Sequence, residues 1–594
     1  MDDAAAKPKP DPTAADLLID SLIDWGIDTV FGLPGDGING IMEALRTRQA
    51  KIRFIQARHE EAAAFMACAY AKWTGRIGCC LATTGPGGVH LLNGLYDAKF
   101  DRAPVLAITG LPYHDLAQTS TQQDIDHVRL FNDVAEHAAA ITGAAQVEGA
   151  VALACRTALA RRGVTHLAVP VDVQEQTLSA DKRSPRNKAR PTKAYAESPH
   201  APDPEAVGAA AEILKAGRRV LILAGQGAFG AEEDLLRVAE RLGAPIAKAL
   251  LGKAVVPDDH PYVTGGVGYL GARPSQLAMD ACDTLLIVGS GFPYVEYYPE
   301  PGQAKVVQID VDPARIGLRY PVDAALVGDA AACLQALTPH LPDLAERGFL
   351  ARAQAWKQEW LEALDTGADR SDVPMKPQRV VRDLNRRLPD HAVIAADCGH
   401  NTGLTAQYVQ IRQGQAFGVS GTLASMGGGV PYAIAAALAF PGRPVVAVVG
   451  DGGLSMSLAE LATCARYRLP VKVIVLNNGT LGQIKWEQML FLGNPEFACD
   501  LQPIDFAKVA QAMGVKAWRI EDPNDCARVL DEALAHEGPA LVDAVVDPDE
   551  PMLPPKRRPE YMEKLEKALA AGTPHAAEIT QALGQEPART SLKP

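Results

Sequence analysis

Two short motifs, Gly450-Asp451-Gly452 and Asn477-Asn478, carry the strongest chemical signal in this chain. They lie in PVVAVVGDGGLSMSLAELATCARYRLPVKVIVLNNGTLGQ, which starts at Pro444, with 24 residues between them. Each closes an apolar run that reads as a buried strand, so Asp451 and Asn478 fall on one carboxyl edge of a parallel sheet, where open α/β sheets bind ligands. A carboxylate and an amide oxygen are hard donors of the kind Mg2+ takes, together with a main-chain carbonyl and ligand phosphates. Gly452 and Gly453 let the backbone approach a phosphate, and the helix expected next points free N–H groups at the same anion. A lone Gly-Asp-Gly is an ordinary tight turn; two such motifs after two strands make a metal and diphosphate ledge. A second candidate is Arg58-His59-Glu60-Glu61, in FIQARHEEAAAFMACAYAKWTG at a strand-to-helix turn. Taken alone, acids at a helix start are equally accounted for by the helix dipole.

The elements that must position these residues follow from periodicity. Short apolar runs alternate with amphipathic helical stretches, the pattern of parallel sheets covered by helices. The expected fold is α/β, with three doubly wound parallel-sheet domains at 13–180, 203–345 and 376–548 and a tail at 549–594. Thr29–Gly32, Gly78–Thr83, Arg219–Ala224, Thr284–Val288, Pro444–Val449 and Val471–Leu476 read as strands, and Glu61–Trp73 as a helix. Polar stretches from Ala180 to Pro204 and from Ala363 to Pro377 read as linkers, and the tail as one helix followed by a weakly structured end.

Bulk properties exclude several classes. The chain has 594 residues, 47% of them hydrophobic, so it can build large cores. A net charge of -13 disfavours nucleic acid and simple docking on an anionic membrane. Ten cysteines without a Cys-x-x-Cys pair give no support to a zinc or thioredoxin-type site. The N-terminal MDDAAAKPKPDPTAAD lacks an apolar signal core, and no run of about 18 apolar residues occurs. A cytoplasmic protein with reduced thiols is expected.

The Gly450–Asn478 stretch resembles the thiamine diphosphate motif of the pyruvate oxidase, acetolactate synthase and pyruvate decarboxylase superfamily, and the resemblance extends through all three blocks. It implies a pyrimidine-binding first domain and a diphosphate-binding third domain. It implies that Asp451 and Asn478 bind Mg2+ through side chains and Thr480 through its main-chain oxygen, with Gly450, Gly452 and Gly453 at the diphosphate. Glu60 matches the family's glutamate, which exchanges a proton with the aminopyrimidine ring and so needs rather apolar surroundings. In the family that acid and the metal site come from different subunits, which implies a homodimer or homotetramer. Met426, in TLASMGGGVPYAIAAAL, matches the bulky residue beneath the cofactor; packing alone would also account for a methionine there.

Further positions are similar to the pyruvate oxidase branch. FGLPGDGIN puts Asp36 near the cofactor, and TTGPGGVHLLNGLYDAKFDRAPVLAITG includes His90. Gln123, in TSTQQDIDHVRLF, matches an active-site glutamine, although an aromatic that precedes it in some relatives is Gln122 here. GQIKWEQ places Ile484 and Glu487 on substrate-pocket positions, and Cys398 in AADCGHN falls where relatives line the cofactor pocket, as a small packing residue rather than a nucleophile. In the middle block, Gly225-x-Gly227-x-x-Gly230 reads as a structural turn more than as a dinucleotide fingerprint. GGVGYLGARPSQ, GSGFPYVEYYP and VVQIDVDPARIG resemble the flavin-binding segments of pyruvate oxidases and quinone-linked pyruvate dehydrogenases. That carries over Gly268 to Gly271, Ser290, Phe292, Pro293, Tyr294 and Asp310, with Arg273 a bidentate partner for the diphosphate of FAD. The last residues show a small apolar face (Ala576, Ile579, Leu583), enough for at most weak peripheral membrane contact.

The resemblance thus implies oxidative decarboxylation of a 2-keto acid, foremost pyruvate, with electrons passed to FAD and then to oxygen or a quinone. The alternatives are a non-redox carboligase like acetolactate synthase, a 2-keto acid decarboxylase, or a non-catalytic scaffold. The presence of both Glu60 and the Gly-Asp-Gly motif argues against the last.

Overall fold

The computed structural model describes residues 11–179, 183–187, 195, 200–342, 347–556 and 558–584. The chain forms two compact units: the residues before 198 with 420–442 and 457–469, and the remainder, 198–419, 443–456 and 470–594.

The first unit is built on a six-stranded sheet in the order β2-β1-β3-β4-β6-β5. Its strands are β1 (Thr29–Gly32), β2 (Arg53–Gln56), β3 (Gly78–Ala82), β4 (Val105–Leu111), β5 (Ala135–Ala140) and β6 (Val164–Pro170). The helix Glu60–Thr74 connects β2 to β3. It is capped by His59 and stopped by Gly75 at φ +68. Its alanine-rich run from Ala62 to Ala71 is buried on every face, as an all-apolar helix must be. A Cβ on Gly94 would lie 2.6 Å from Ala64 Cβ, so that glycine lets the Leu92–Phe100 helix close on this one.

The second unit holds two six-stranded sheets. The central one has β7 (Val220–Ala224), β8 (Ile246–Lys248), β9 (Val263–Gly266), β10 (Thr284–Val288), β11 (Lys305–Asp310) and β12 (Ala324–Val327) in the order β12-β11-β10-β7-β8-β9. Counted from its own first strand this is 3-2-1-4-5-6 read backwards, the dinucleotide-binding order. The other has β13 (Val393–Ala396), β14 (Ala416–Gly418), β15 (Val445–Gly450), β16 (Val471–Asn477), β17 (Lys516–Ile520) and β18 (Ala540–Val545) in the order β14-β13-β15-β16-β18-β17. Strand for strand, that repeats the order of the first sheet. The strands pair in parallel, and β15 and β16 are buried on both faces, which is why they read as unbroken apolar runs.

Three expectations need correction. Ala363–Ala368 is not linker but the end of the 21-residue helix Gly348–Ala368, whose Trp356, Trp360, Leu364 and Ala368 are buried. Among its described residues the tail has two helices, Pro559–Ala570 and Ala576–Gly584. Its apolar face is already used: Ile579 and Leu565 pack with Trp486, Met489 and Leu490. Much of the basic stretch from Ala180 to Pro204, the first ten residues and the last ten lie outside the described residues. No helix among the described residues is long and apolar enough to cross a membrane.

Candidate active site

Open α/β sheets bind ligands where neighbouring strands send their connections to opposite faces. In the β13–β18 sheet that point lies between β13 and β15. Asp451 follows β15 directly and opens the helix Asp451–Ser457. Its Oδ2 accepts the Gly479 N–H at 2.8 Å, so the Asn478 loop after β16 lies against it. Asn478 Oδ1 accepts the Thr480 N–H at 3.2 Å, and the Thr480 carbonyl accepts the Gly482 N–H at 2.9 Å. Carboxylate, amide oxygen and main-chain carbonyl are thereby brought into one pair of loops, hard oxygen donors of the kind Mg2+ takes. Asp451 is 5% exposed, and burial pushes its carboxyl up to about 6 against the pull of the Gly479 and Gly452 N–H groups. A divalent cation placed beside such a carboxylate would supply the positive charge that its protein surroundings lack. Two of the glycines are crowded: a Cβ on Gly453 would lie 2.4 Å from Asp397 Oδ2, and one on Gly482 3.1 Å from Asn478 Nδ2.

The same unit carries the flavin-type segments. Gly268, at φ +89, faces the Phe292 ring, which a Cβ would approach to 2.8 Å. The Gly271 N–H closes a turn on the Gly268 carbonyl at 2.9 Å. Ser290 Oγ accepts the Phe292 N–H at 3.3 Å, while Pro293 and Tyr294 are exposed. Asp310 ends β11, buried, and accepts the Asp312 N–H at 3.0 Å. Arg273 begins the helix Arg273–Ala281 and donates from Nη1 to the Pro555 carbonyl at 2.7 Å. The glycines of Gly225-x-Gly227 are spent on packing: a Cβ on Gly227 would lie 2.8 Å from Gly289 Cα, and the helix Glu232–Leu242 begins only after an intervening turn. Tyr294 lies within electrostatic range of the third sheet's loops. Although the side chain is half exposed, partial desolvation raises its hydroxyl, and so do the charges of Glu487 and Glu296. Glu487 is half-buried and accepts Gln483 Nε2 at 2.7 Å; Ile484, on the same helix, is 44% exposed.

The first unit brings together the other candidates. Its switch point lies between β1 and β3, where the Gly35-Asp36-Gly37 turn docks on Thr83: Thr83 Oγ1 accepts the Gly37 N–H at 3.1 Å. Asp36 itself is exposed. Glu60 is 6% exposed, and its Oε2 lies 3.0 Å from His90 Nδ1. The His90 and His59 rings stack with centroids 4.5 Å apart. Donor atoms of His59, Glu60 and His90 all fall within 4.8 Å of one another. Gln123, at φ +60, accepts the Thr84 hydroxyl at 2.8 Å. Met426 is half-buried, and its neighbour Ser425 accepts Asn93 Nδ2 at 2.9 Å. Sequence reasoning missed Thr84, Asn93 and Glu460. An acid inside the apolar run SLAELATC was the available signal for Glu460.

Sheet order and site together define an α/β protein with hard oxygen donors gathered at one switch point and a buried acid, Glu60, at the strand ends of another sheet. Residues 12–130, 207–337 and 397–544 match the N-terminal TPP binding domain, the central domain and the C-terminal TPP binding domain of thiamine pyrophosphate enzymes. The Bacillus subtilis (strain 168) protein YdaP, whose name speaks of thiamine pyrophosphate and of no reaction, is 40% identical over 544 residues, 92% of this chain and 93% of its own. The pyruvate oxidase of Lactiplantibacillus plantarum is 32% identical over 92% of this chain and 90% of its own. A "probable acetolactate synthase large subunit" of Methanocaldococcus jannaschii is 34% identical over 92% and 94%. The chain belongs to the thiamine pyrophosphate enzyme family, in the acetolactate synthase superfamily.

Proposed function

We propose that this thiamine-diphosphate enzyme oxidatively decarboxylates a 2-keto acid, pyruvate foremost, and hands the electrons through FAD to oxygen or a quinone, with acetate or acetyl phosphate as product. Asp451, Asn478 and the Thr480 carbonyl would hold Mg2+, and Gly450, Gly452 and Gly453 the diphosphate. Bound there, the cofactor supplies the electron sink for losing carbon dioxide. Glu60 holds the proton that passes to and from the aminopyrimidine, His90 keeps that carboxyl oriented, and Met426 supports the ring. Gln123 and Glu487 orient the keto acid, with Ile484 at the pocket wall and Asp36 near the cofactor. FAD, where bound, accepts two electrons; Gly268, Gly271, Arg273, Ser290, Phe292, Pro293, Tyr294 and Asp310 are the residues offered to it. The acid and the metal ledge are contributed by two protomers of a homodimer or homotetramer.

One observation carries the redox reading. The central sheet has the dinucleotide-binding strand order, and Tyr294 of its flavin-type segment lies within electrostatic range of Glu487 in the thiamine half, which supports a flavin serving the thiamine site. Anaerobic titration of the holoenzyme with pyruvate and other 2-keto acids tests this. Bleaching of the flavin absorbance by pyruvate is expected. A colourless protein counts against the flavin reading, and a yellow one that pyruvate leaves unbleached while a second keto acid is consumed gives the carboligase instead.

A further inference from the structure

The turn that presents Glu60 is held by side chains from a segment 402 residues further along the chain. Glu460 Oε1 accepts the backbone N–H groups of Arg58 at 2.8 Å and His59 at 3.2 Å. Its other oxygen accepts the Thr463 hydroxyl at 2.7 Å. The Tyr467 hydroxyl oxygen accepts the Gln56 N–H at 2.8 Å, and the Ala57 N–H reaches the Gly32 carbonyl at 2.9 Å. Every backbone donor from the end of β2 to the residue before Glu60 is thus engaged, and Glu460 and Tyr467 take three of the four. Glu460 is 1% exposed. A carboxyl so far from water needs hydrogen-bond partners, and each of its oxygens has one, although burial still raises it above the ordinary glutamate value.

A second clamp has the same form. Asp101, 3% exposed, accepts the N–H groups of Gly421 and Thr422, both at 2.9 Å, ahead of Met426. It is also paired at 2.6 Å with Lys72 of the Glu60 helix. Glu460 and Asp101 each follow the third strand of their own sheet, and each holds the turn after the second strand of the other. The duplicated strand order therefore carries a reciprocal pair of carboxylate clamps, one on the turn of the acid and one on the loop of the residue beneath the cofactor.

We infer that Glu460, assisted by Tyr467, is a positioning residue for the proton relay, fixing by backbone hydrogen bonds the turn from which Glu60 reaches the aminopyrimidine. This rests on the reading of Glu60 as the acid. It also makes the placement of that acid depend on the stretch of chain between Asp451 and Asn478. The test is the rate at which the bound cofactor in the holoenzyme exchanges its thiazolium C2 proton with D2O, followed by quenching and NMR, at saturating cofactor. Because small misplacements cost catalysis heavily, Glu460→Ala should slow exchange by about tenfold or more, with cofactor Kd changed by less than about threefold. Glu460→Gln keeps an amide oxygen for both N–H groups and should recover most of that loss. Wild-type exchange in Glu460→Ala, or Glu460→Gln as slow as Glu460→Ala, overturns the inference. If Glu460→Ala does not fold, Tyr467→Phe decides: slowed exchange with an unchanged melting temperature supports the clamp, and a wild-type rate overturns it. Glu60→Gln separates the two readings. Unimpaired exchange there removes Glu60 as the acid, whereas slow exchange there beside normal Glu460 and Tyr467 variants removes only the clamp.

Discussion

Asp451 is a carboxylate whose surroundings fit it for a cation and penalise it without one. Burial lifts it from an ordinary 3.8 to about 6, and the N–H groups of Gly479 and Gly452 do not make up the difference. The sign follows from proton linkage. The folded chain keeps this proton more tightly than the unfolded chain does. The contribution to stability is complete below pH 3.8 and is lost as pH rises through about 6. In the metal-free protein, wild type should lose on the order of 2–3 kcal/mol relative to Asp451→Asn between pH 4 and pH 7. Mg2+ with thiamine diphosphate should reverse that loss at pH 7 in wild type and not in the variant, because a bound cation displaces the proton. Denaturant melts of both proteins across this range, with and without cofactor, check it. A difference between them that stays constant with pH would show that Asp451 is not buried as an uncompensated acid.

At the scale of elements, helices are placed by side chains that composition alone disguises. In sequence the helix Ala576–Gly584 offers lipid at most weak contact, since Ala576, Ile579 and Leu583 form only a narrow apolar face. That face is instead what completes the small core around Trp486, Met489 and Leu490. Ile579→Ala should therefore cost about 2–4 kcal/mol through cavity formation and shift Trp486 fluorescence, read in urea melts. A neutral substitution would mean the helix is not docked. The same lesson holds for Gly348–Ala368. Its buried Trp356, Trp360, Leu364 and Ala368 recur every four residues, but TGADRSD at its end reads as linker because the polar face is what composition counts. The strands were legible for the opposite reason. Val445–Gly450 and Val471–Asn477 are buried on both faces, so no polar alternation blurs them. The metal loops were legible because Asp451 and Asn478 sit at fixed distances from those strands along the chain. Glu460 was not, because its partners, Arg58 and His59, meet it only through space.

For the whole molecule, the repeated strand order explains why the candidate residues cluster as they do. Asp36, Glu60, His90 and Gln123 follow β1 to β4, and Cys398, Met426, Asp451 and Asn478 follow β13 to β16, the same positions in two sheets of one order. A duplicated fold can divide one reaction between its copies, one giving the acid and the other the metal ledge. If the two halves of each site come from different protomers, the arrangement leaves a signature in mixed assemblies. Glu60→Gln and Asp451→Asn should each be inactive alone. In a mixed dimer, one site then collects both lesions and the other none. Co-expression in equal amounts makes half of the dimers mixed, each with one intact site of two, so about a quarter of wild-type activity should return. If one chain supplied both halves of its own site, every site in the mixture would carry a lesion and no activity would return. The rate of the co-expressed pair, compared with each variant alone at the same total concentration, decides between these arrangements. It does so whether the electrons go on to a flavin or not.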